Sequence, residues 1–203
     1  MPLQNRVQPD GEIIAHPARG SFMGNRGILH DENGLRPKRR WAHQNWVCCR
    51  LSFKERRRKL MAPRHYTELF FLDEAVAFAA GHRPCAECRA ADYRRFRACC
   101  DLPGPAADFD RQLHAERAVP RVFRQRRHGD VEAQDLPDGS FALDRDGQSG
   151  MLLGDALHPY APEGYGAVQR RPQGRVTLLT PPSIVAAFRN GYRPQIALAE
   201  ARG

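Results

Sequence analysis

The stretch Leu72–Phe96, LDEAVAFAAGHRPCAECRAADYRRF, decides how the rest of the chain is interpreted. Asp73 stands where the N-cap of a short alanine-rich helix belongs, and Gly81 stands where a left-handed residue would end it. A proline then prevents the helix from restarting before Cys85 and Cys88. Two cysteines separated by two residues can bind one tetrahedral zinc ion from a tight turn. The stretch therefore predicts a capped helix, half of a zinc site and a second helix.

The cysteine pair has two other interpretations. Cys85 and Cys88 could be buried thiols, or a redox pair of the kind that opens a thioredoxin-like helix. We favour zinc because no βαβ pattern precedes the pair and because the helix after it is crowded with arginines. We expect a cytoplasmic protein, and in that compartment six cysteines in 203 residues favour metal binding or free thiols over disulfides.

The run Gly81–Arg89, GHRPCAECR, resembles the second half of the zinc-binding domain of the Ada DNA-repair family. In that family a helix rich in Ala and Glu leads into Gly-aromatic-Arg-Pro-Cys-x-x-Cys. The resemblance implies two further cysteines upstream, spaced Cys-x-x-x-Cys, in a four-thiolate zinc site. It also implies a zinc-bound thiolate that takes a methyl group from a DNA phosphotriester. The whole chain resembles a bacterial family built around this block, which implies no function.

The remaining zinc ligands have to come from upstream, where Cys48 and Cys49 are adjacent. The segment Trp41–Phe53 predicts a strand, and neighbouring side chains on a strand point to opposite faces. The face that carries Cys49 is the more apolar, so we expect it to face the core and the zinc knuckle. We therefore predict Cys49 as third ligand and His30 as fourth, with His43 and Cys48 as alternatives.

The charge of the chain lies in its first half. Residues 1–100 hold 19 Lys and Arg against 10 Asp and Glu, whereas residues 101–203 hold 13 of each. Arg36–Arg64 alone has 11 basic residues and one acid, Glu55. A polyanion, most simply nucleic acid, is the expected partner, and the resemblance favours DNA. The other interpretation is a solvated surface. The predicted phosphate contacts are Arg56, Arg57, Arg58, Arg83, Arg89 and Arg94.

The fold class that we predict is α+β. A basic zinc-knuckle region with strands and short helices occupies residues 1–100, and a Pro/Gly-rich linker follows at 101–107. Residues 108–203 are predicted to be β-rich and to end in a helix. Strands are expected at Tyr66–Leu72 and Val176–Leu179, and the second helix of the knuckle at Ala90–Cys100. The sequence leaves open whether the two regions share one core.

The chain has no run of about eighteen apolar residues, and its start lacks the layout of a signal peptide. We expect a cytoplasmic zinc protein that binds nucleic acid through an arginine-rich face, with DNA repair or processing as the implied role. One alternative is an Ada-like methyl acceptor. Another is a non-catalytic interaction protein with a structural zinc. The sequence leaves open whether the protein is an enzyme.

Overall fold

The computed structural model describes residues 1–55, 59–100 and 102–198. The predicted phosphate contacts Arg56, Arg57 and Arg58 lie outside the described residues. The helices are α1 (Glu74–Ala79), α2 (Ala90–Cys99), α3 (Ala106–Arg117) and α4 (Pro182–Arg189). The strands are β1 (Gln4–Val7), β2 (Ile13–Ala15), β3 (Phe22–Asn25), β4 (His30–Asp31), β5 (Gly34–Leu35), β6 (Val47–Arg50), β7 (Leu69–Phe71), β8 (Arg83–Pro84), β9 (Ala118–Val119), β10 (Arg124–Gln125), β11 (His128–Glu132), β12 (Phe141–Leu143), β13 (Ser149–Leu153), β14 (Ala156–Ala161), β15 (Gly164–Tyr165), β16 (Gln169–Arg170) and β17 (Arg175–Leu178).

These elements form two large sheets and four helices in the described part of the chain, which confirms the α+β prediction. The first sheet has the order β2-β1-β7-β3-β6-β8, and the second has the order β11-β17-β12-β13-β14-β15, with β16 paired to β14. The predicted terminal helix is α4, which has proline in its first turn. Within the described ranges, every helix is too short or too polar to cross a membrane.

Helix α1 lies at the centre of the molecule, and its local signals act as predicted. The Asp73 carboxylate accepts a hydrogen bond from the backbone N–H of Val76 at 2.9 Å. Gly81 follows the helix with φ +80°, a conformation that costs glycine little. All six residues of α1 are buried. A helix that is buried on every side needs packing partners all around it. The apolar residues of α1 therefore do not form a single stripe.

The two halves of the sequence meet around α1. One apolar cluster joins Val76 and other residues of the first half to Phe141, Met151 and Leu179 of the second. A second cluster stacks Phe78 of α1 on side chains of α2, α3 and α4. The segment predicted as a linker ends in structure, because α3 begins at Ala106. A core shared in this way fixes the first sheet relative to the rest of the chain.

The first sheet has one face on this core and one face directed away from it. In its register, Gly24 lies beside Cys48 and Leu69, and Met23 lies beside Cys49 and Phe70. Cys48 and Leu69 are fully buried, whereas the Met23 row is only partly buried. The prediction that the Cys49 face packs on the core is therefore wrong. Helix α1 packs against β3 and β7 on the other face. The apolar pattern of β6 alone does not show which face of the sheet the helix covers.

Candidate metal centre

Three cysteines from two distant segments lie together at the edge of the first sheet. The ligand atoms of Cys49, Cys85 and Cys88 all lie within 4.8 Å of one another. Strand β8 pairs in parallel with β6 and leads directly into Cys85, whose backbone N–H donates to the Cys48 carbonyl at 3.0 Å. This pairing places the start of the knuckle beside Cys49. The structure thus brings together the three cysteines that the sequence analysis selected.

The surroundings of the three sulfur atoms favour a thiolate at Cys85. Backbone N–H groups of Glu87 and Cys88 donate to the Cys85 sulfur, and the N–H of Arg50 donates to the Cys88 sulfur. Hydrogen bonds from the Cys49 and Cys88 thiols lower the pKa of Cys85 well below its ordinary value. The same sharing raises the pKa of Cys49. One sulfur is therefore ionised first, and a bound cation would displace the remaining protons.

The donor set and its spacing fit a soft or borderline metal ion. Sulfur ligands select such ions over Mg²⁺ or Ca²⁺. Around a tetrahedral ion with metal–sulfur bonds of about 2.3 Å, the sulfurs stand about 3.8 Å apart. The separations here, all below 4.8 Å, are within about 1 Å of that arrangement. The three cysteines can therefore hold a metal ion.

A cavity of about 670 Å³ opens beside the three thiols. Its floor is the outward face of the first sheet, where Phe70, Met23 and Cys49 form one row across three strands. Phe53 and Tyr66 add aromatic walls, and the lining also includes the carboxylate side chains of Glu68 and Glu87. The volume lies in the range of small-molecule sites. The group of three cysteines is thus part of a cavity wall and is not closed off within the core.

The structure does not bring the predicted fourth ligand to this group. His30 is buried away from it, with Nδ1 2.6 Å from the Thr67 hydroxyl and Nε2 3.3 Å from the Ala62 carbonyl. Cys48 is fully buried on the core face, where its sulfur accepts from Arg89 Nη1 at 3.5 Å. His43 lines a different cavity. Over residues 1–55, 59–100 and 102–198, the close group holds the three cysteines alone.

Two of the arginines predicted to contact phosphate are used inside the fold. Arg83 is 5% exposed and donates two hydrogen bonds, of 2.5 and 2.6 Å, to the Asp110 carboxylate. Arg89 is 2% exposed and donates to Glu74 at 2.6 Å and to Asp92 at 2.9 Å. Their assignment to a nucleic-acid surface is therefore corrected. Arg94 is exposed on α2, as that assignment requires.

Glu74 connects the knuckle to the end of the chain. Besides Arg89, its carboxylate accepts from the Tyr192 hydroxyl at 2.9 Å and from the Gln195 backbone N–H at 2.9 Å. The side chain is 1% exposed, and burial raises the pKa of Glu74 while Arg89 opposes that shift. A buried carboxylate of this kind depends on its partners. The network holds the residue after Cys88 in place and so positions the turn.

A second cavity, of about 530 Å³, is lined by His43, one alternative zinc ligand, and by residues for which the sequence carried no site prediction. Trp41 stands against Phe123 at 4.7 Å and His114 at 5.6 Å between ring centroids, and Lys38 and Arg39 border the same cavity. Burial lowers the pKa of His114 to about 4, with help from nearby positive charge. The basic run around Trp41 was the main sequence signal here, because His114 and Phe123 are more than seventy residues away from Trp41 in the chain.

Comparisons with protein-family models, with curated proteins and with solved structures find no match to this chain.

Proposed function

We propose that this protein binds zinc through Cys49, Cys85 and Cys88 and binds nucleic acid through the basic surface around that site. The observation that carries the proposal is the convergence of three thiols within 4.8 Å of one another on a cavity wall. Zinc is the metal that most often combines with cysteine ligands in a Cys-x-x-Cys turn. Its ligation free energy would hold β6 against the short β8, which buries little apolar area by itself.

Exposed positive charge lies close to both cavities of the first half. Arg50 lines the cysteine cavity and is exposed, and Lys54 follows it in a strongly basic segment. At the second cavity, exposed Lys38 and Arg39 stand beside the half-buried ring of Trp41. Cations next to aromatic rings suit single-stranded nucleic acid, since phosphates pair with the cations and bases stack on the rings.

The test combines metal analysis with oligonucleotide binding. Protein purified without chelator is expected to contain one zinc per chain, and its affinity for a fluorescent single-stranded oligonucleotide should fall steeply with salt. Arg39→Ala should weaken binding and reduce the salt slope by about one. Arg145→Ala, the same change of charge at an exposed position of the second half, should leave both unchanged. Zinc binding without salt-dependent nucleic-acid binding would instead favour a structural zinc in an interaction protein.

A second candidate function is methyl transfer to a cysteine. The observation that favours it is the position of Cys49, which is the one of the two upstream cysteines that lines the cavity. Its thiolate would attack the methyl carbon of a DNA methyl phosphotriester. A carbon–sulfur bond forms, the methyl carbon–oxygen bond breaks, and the phosphodiester anion leaves. Metal-bound thiolates remain nucleophilic at neutral pH because the metal lowers their pKa.

Mass spectrometry tests this candidate. After incubation with DNA that carries methyl phosphotriesters, one added methyl group is expected on Cys49 and none on Cys99, a half-buried cysteine outside the site. Cys49→Ser should take up no methyl group. An unmodified Cys49 in metal-loaded protein would rule the candidate out and leave the binding function standing.

A further inference from the structure

We infer that the cysteine cavity is a ligand site, in which an N-heteroaromatic molecule donates a ring nitrogen to the metal held by the three cysteines. The inference deepens the proposed function and rests on its metal site. It assigns to the cavity a ligand class that neither the thiols nor the basic surface identifies alone.

The first step is the number of protein ligands. The close group contributes three sulfur donors, and the described residues add no other Cys, His, Asp or Glu atom to it. Zinc in proteins takes four ligands, and sites with three protein ligands keep the fourth position for water or substrate. Phe53, four residues after Cys49, lines the same cavity and has no donor atom to offer. Within the described part of the chain, the fourth position is therefore open to a molecule from outside.

The second step is the chemistry of the cavity. Met23 lies directly across from Cys49 in the sheet, and Phe70 lies on the far side of Met23. With Phe53 and Tyr66, they surround the approach to the thiols with aromatic rings and a thioether. Such walls favour a planar ring, through stacking and sulfur–aromatic contact. An imidazole-type nitrogen is a donor that zinc accepts readily beside sulfur.

Two kinds of molecule could carry the heteroaromatic ring. A nucleobase of a bound strand and a free heteroaromatic small molecule share this chemistry. Arg50 is exposed at the cavity and could contact the phosphate of a nucleotide whose base occupies the cavity. The two sources are separated by experiment.

The experiment uses the full chain loaded with Co²⁺, whose absorption bands report both sulfur ligation and a change of the fourth ligand. Imidazole and 1-benzylimidazole are titrated separately. We expect both to shift the bands, with 1-benzylimidazole binding at least about tenfold more tightly, because its benzyl group is removed from water in the cavity. An oligonucleotide and its abasic counterpart are then compared. A shift of the cobalt bands with the oligonucleotide but not with its abasic counterpart identifies a nucleobase as the ligand. Shifts with the imidazoles but with neither oligonucleotide identify a free small molecule.

Two variants alter the cavity without touching a ligand. Met23→Trp should retain the cobalt–sulfur bands and lose the preference for 1-benzylimidazole, because the larger side chain fills the space opposite Cys49. Phe70→Ala should weaken 1-benzylimidazole and leave imidazole unchanged. If the cobalt bands form but respond to neither imidazole, or respond equally to both, the inference is overturned. If no cobalt–sulfur bands form in the unaltered chain, the proposed metal function fails with it.

Discussion

Replacing each of two adjacent cysteines in turn gives the most direct test of the metal site. Cys49 and Cys48 are neighbours on β6, yet Cys49 belongs to the three-thiol group and Cys48 is fully buried on the opposite face. Structural zinc sites contribute about 10–16 kcal/mol, or roughly 2.5–4 kcal/mol for each of four ligands. Cys49→Ser should therefore lower zinc affinity by roughly 10²–10³-fold.

Cys48→Ser is the matched control. It places a hydroxyl in the core and should cost about 1–3 kcal/mol of folding free energy, with zinc affinity unchanged. Competition against a chelator measures the affinity, and urea unfolding with and without zinc measures the stability. Zinc should stabilise the wild type and Cys48→Ser by similar amounts, and stabilise Cys49→Ser far less. Loss of zinc from Cys48→Ser, or full affinity in Cys49→Ser, would refute the assignment.

Three further predictions concern the stability of the fold, and each is measured by urea unfolding. Gly129→Ala is the control, because no atom lies within 4 Å of a Cβ at that position. Glu74→Gln removes the fully buried anionic partner of Arg89, leaves Asp92 as the remaining one and should cost about 1.5–3 kcal/mol; a loss below about 1 kcal/mol would contradict the role given to this network. Gly24→Ala puts a Cβ 2.4 Å from a buried aromatic ring and should cost about 1–3 kcal/mol, and an unchanged midpoint would show that the sheet can shift there. Because burial lowers the pKa of His114 to about 4, the unfolded chain takes up its proton first as the pH falls. The stability that this histidine contributes is thus complete above about pH 6.5 and is lost toward pH 4, so His114→Gln should flatten the decline; an identical pH profile would contradict this.

The pH dependence of zinc affinity gives a test that is separate from the pH dependence of folding. Zinc affinity should rise between pH 6 and 8, because the Cys49 and Cys88 thiols must lose protons that they retain in the free protein. Chelator competition across this range measures the effect, and the intact fold at each pH is checked by circular dichroism. An affinity independent of pH would show that thiols are not the ligands.

Local sequence signals were sufficient to predict helix α1 and the cysteine turn that follows it. Asp73 caps α1 because its carboxylate reaches an N–H three residues away, and Gly81 ends the helix because it alone tolerates the positive φ there. The spacing of Cys85 and Cys88 likewise fixes a turn that can present two sulfurs to one ion. Each of these features depends on backbone geometry over one or two turns, which the order of residues specifies directly.

The sequence analysis correctly placed Cys49 beside Cys85 and Cys88, but for the wrong reason. Alternation along β6 separates Cys48 from Cys49, yet it does not say which face receives α1. Leu51, which lies on the predicted strand face that carries Cys49, is 53% exposed, whereas Cys48 is fully buried. The parallel pairing of β6 with β8 is a contact between distant segments, and no local pattern encodes it.

The sequence by itself determined a helix, a knuckle and an excess of positive charge in the first hundred residues. Only the tertiary structure decided which of those charges are available. Nothing in the sequence distinguishes Arg83 from Arg94. In the folded chain, Asp110 of α3 pairs with Arg83 inside the fold, whereas Arg94 is exposed to water. The same holds for the cavity beside the thiols, since its floor joins three strands whose register is set by packing. Burial and pairing between distant segments are properties of the folded chain as a whole, and they turn a short cysteine motif into a site.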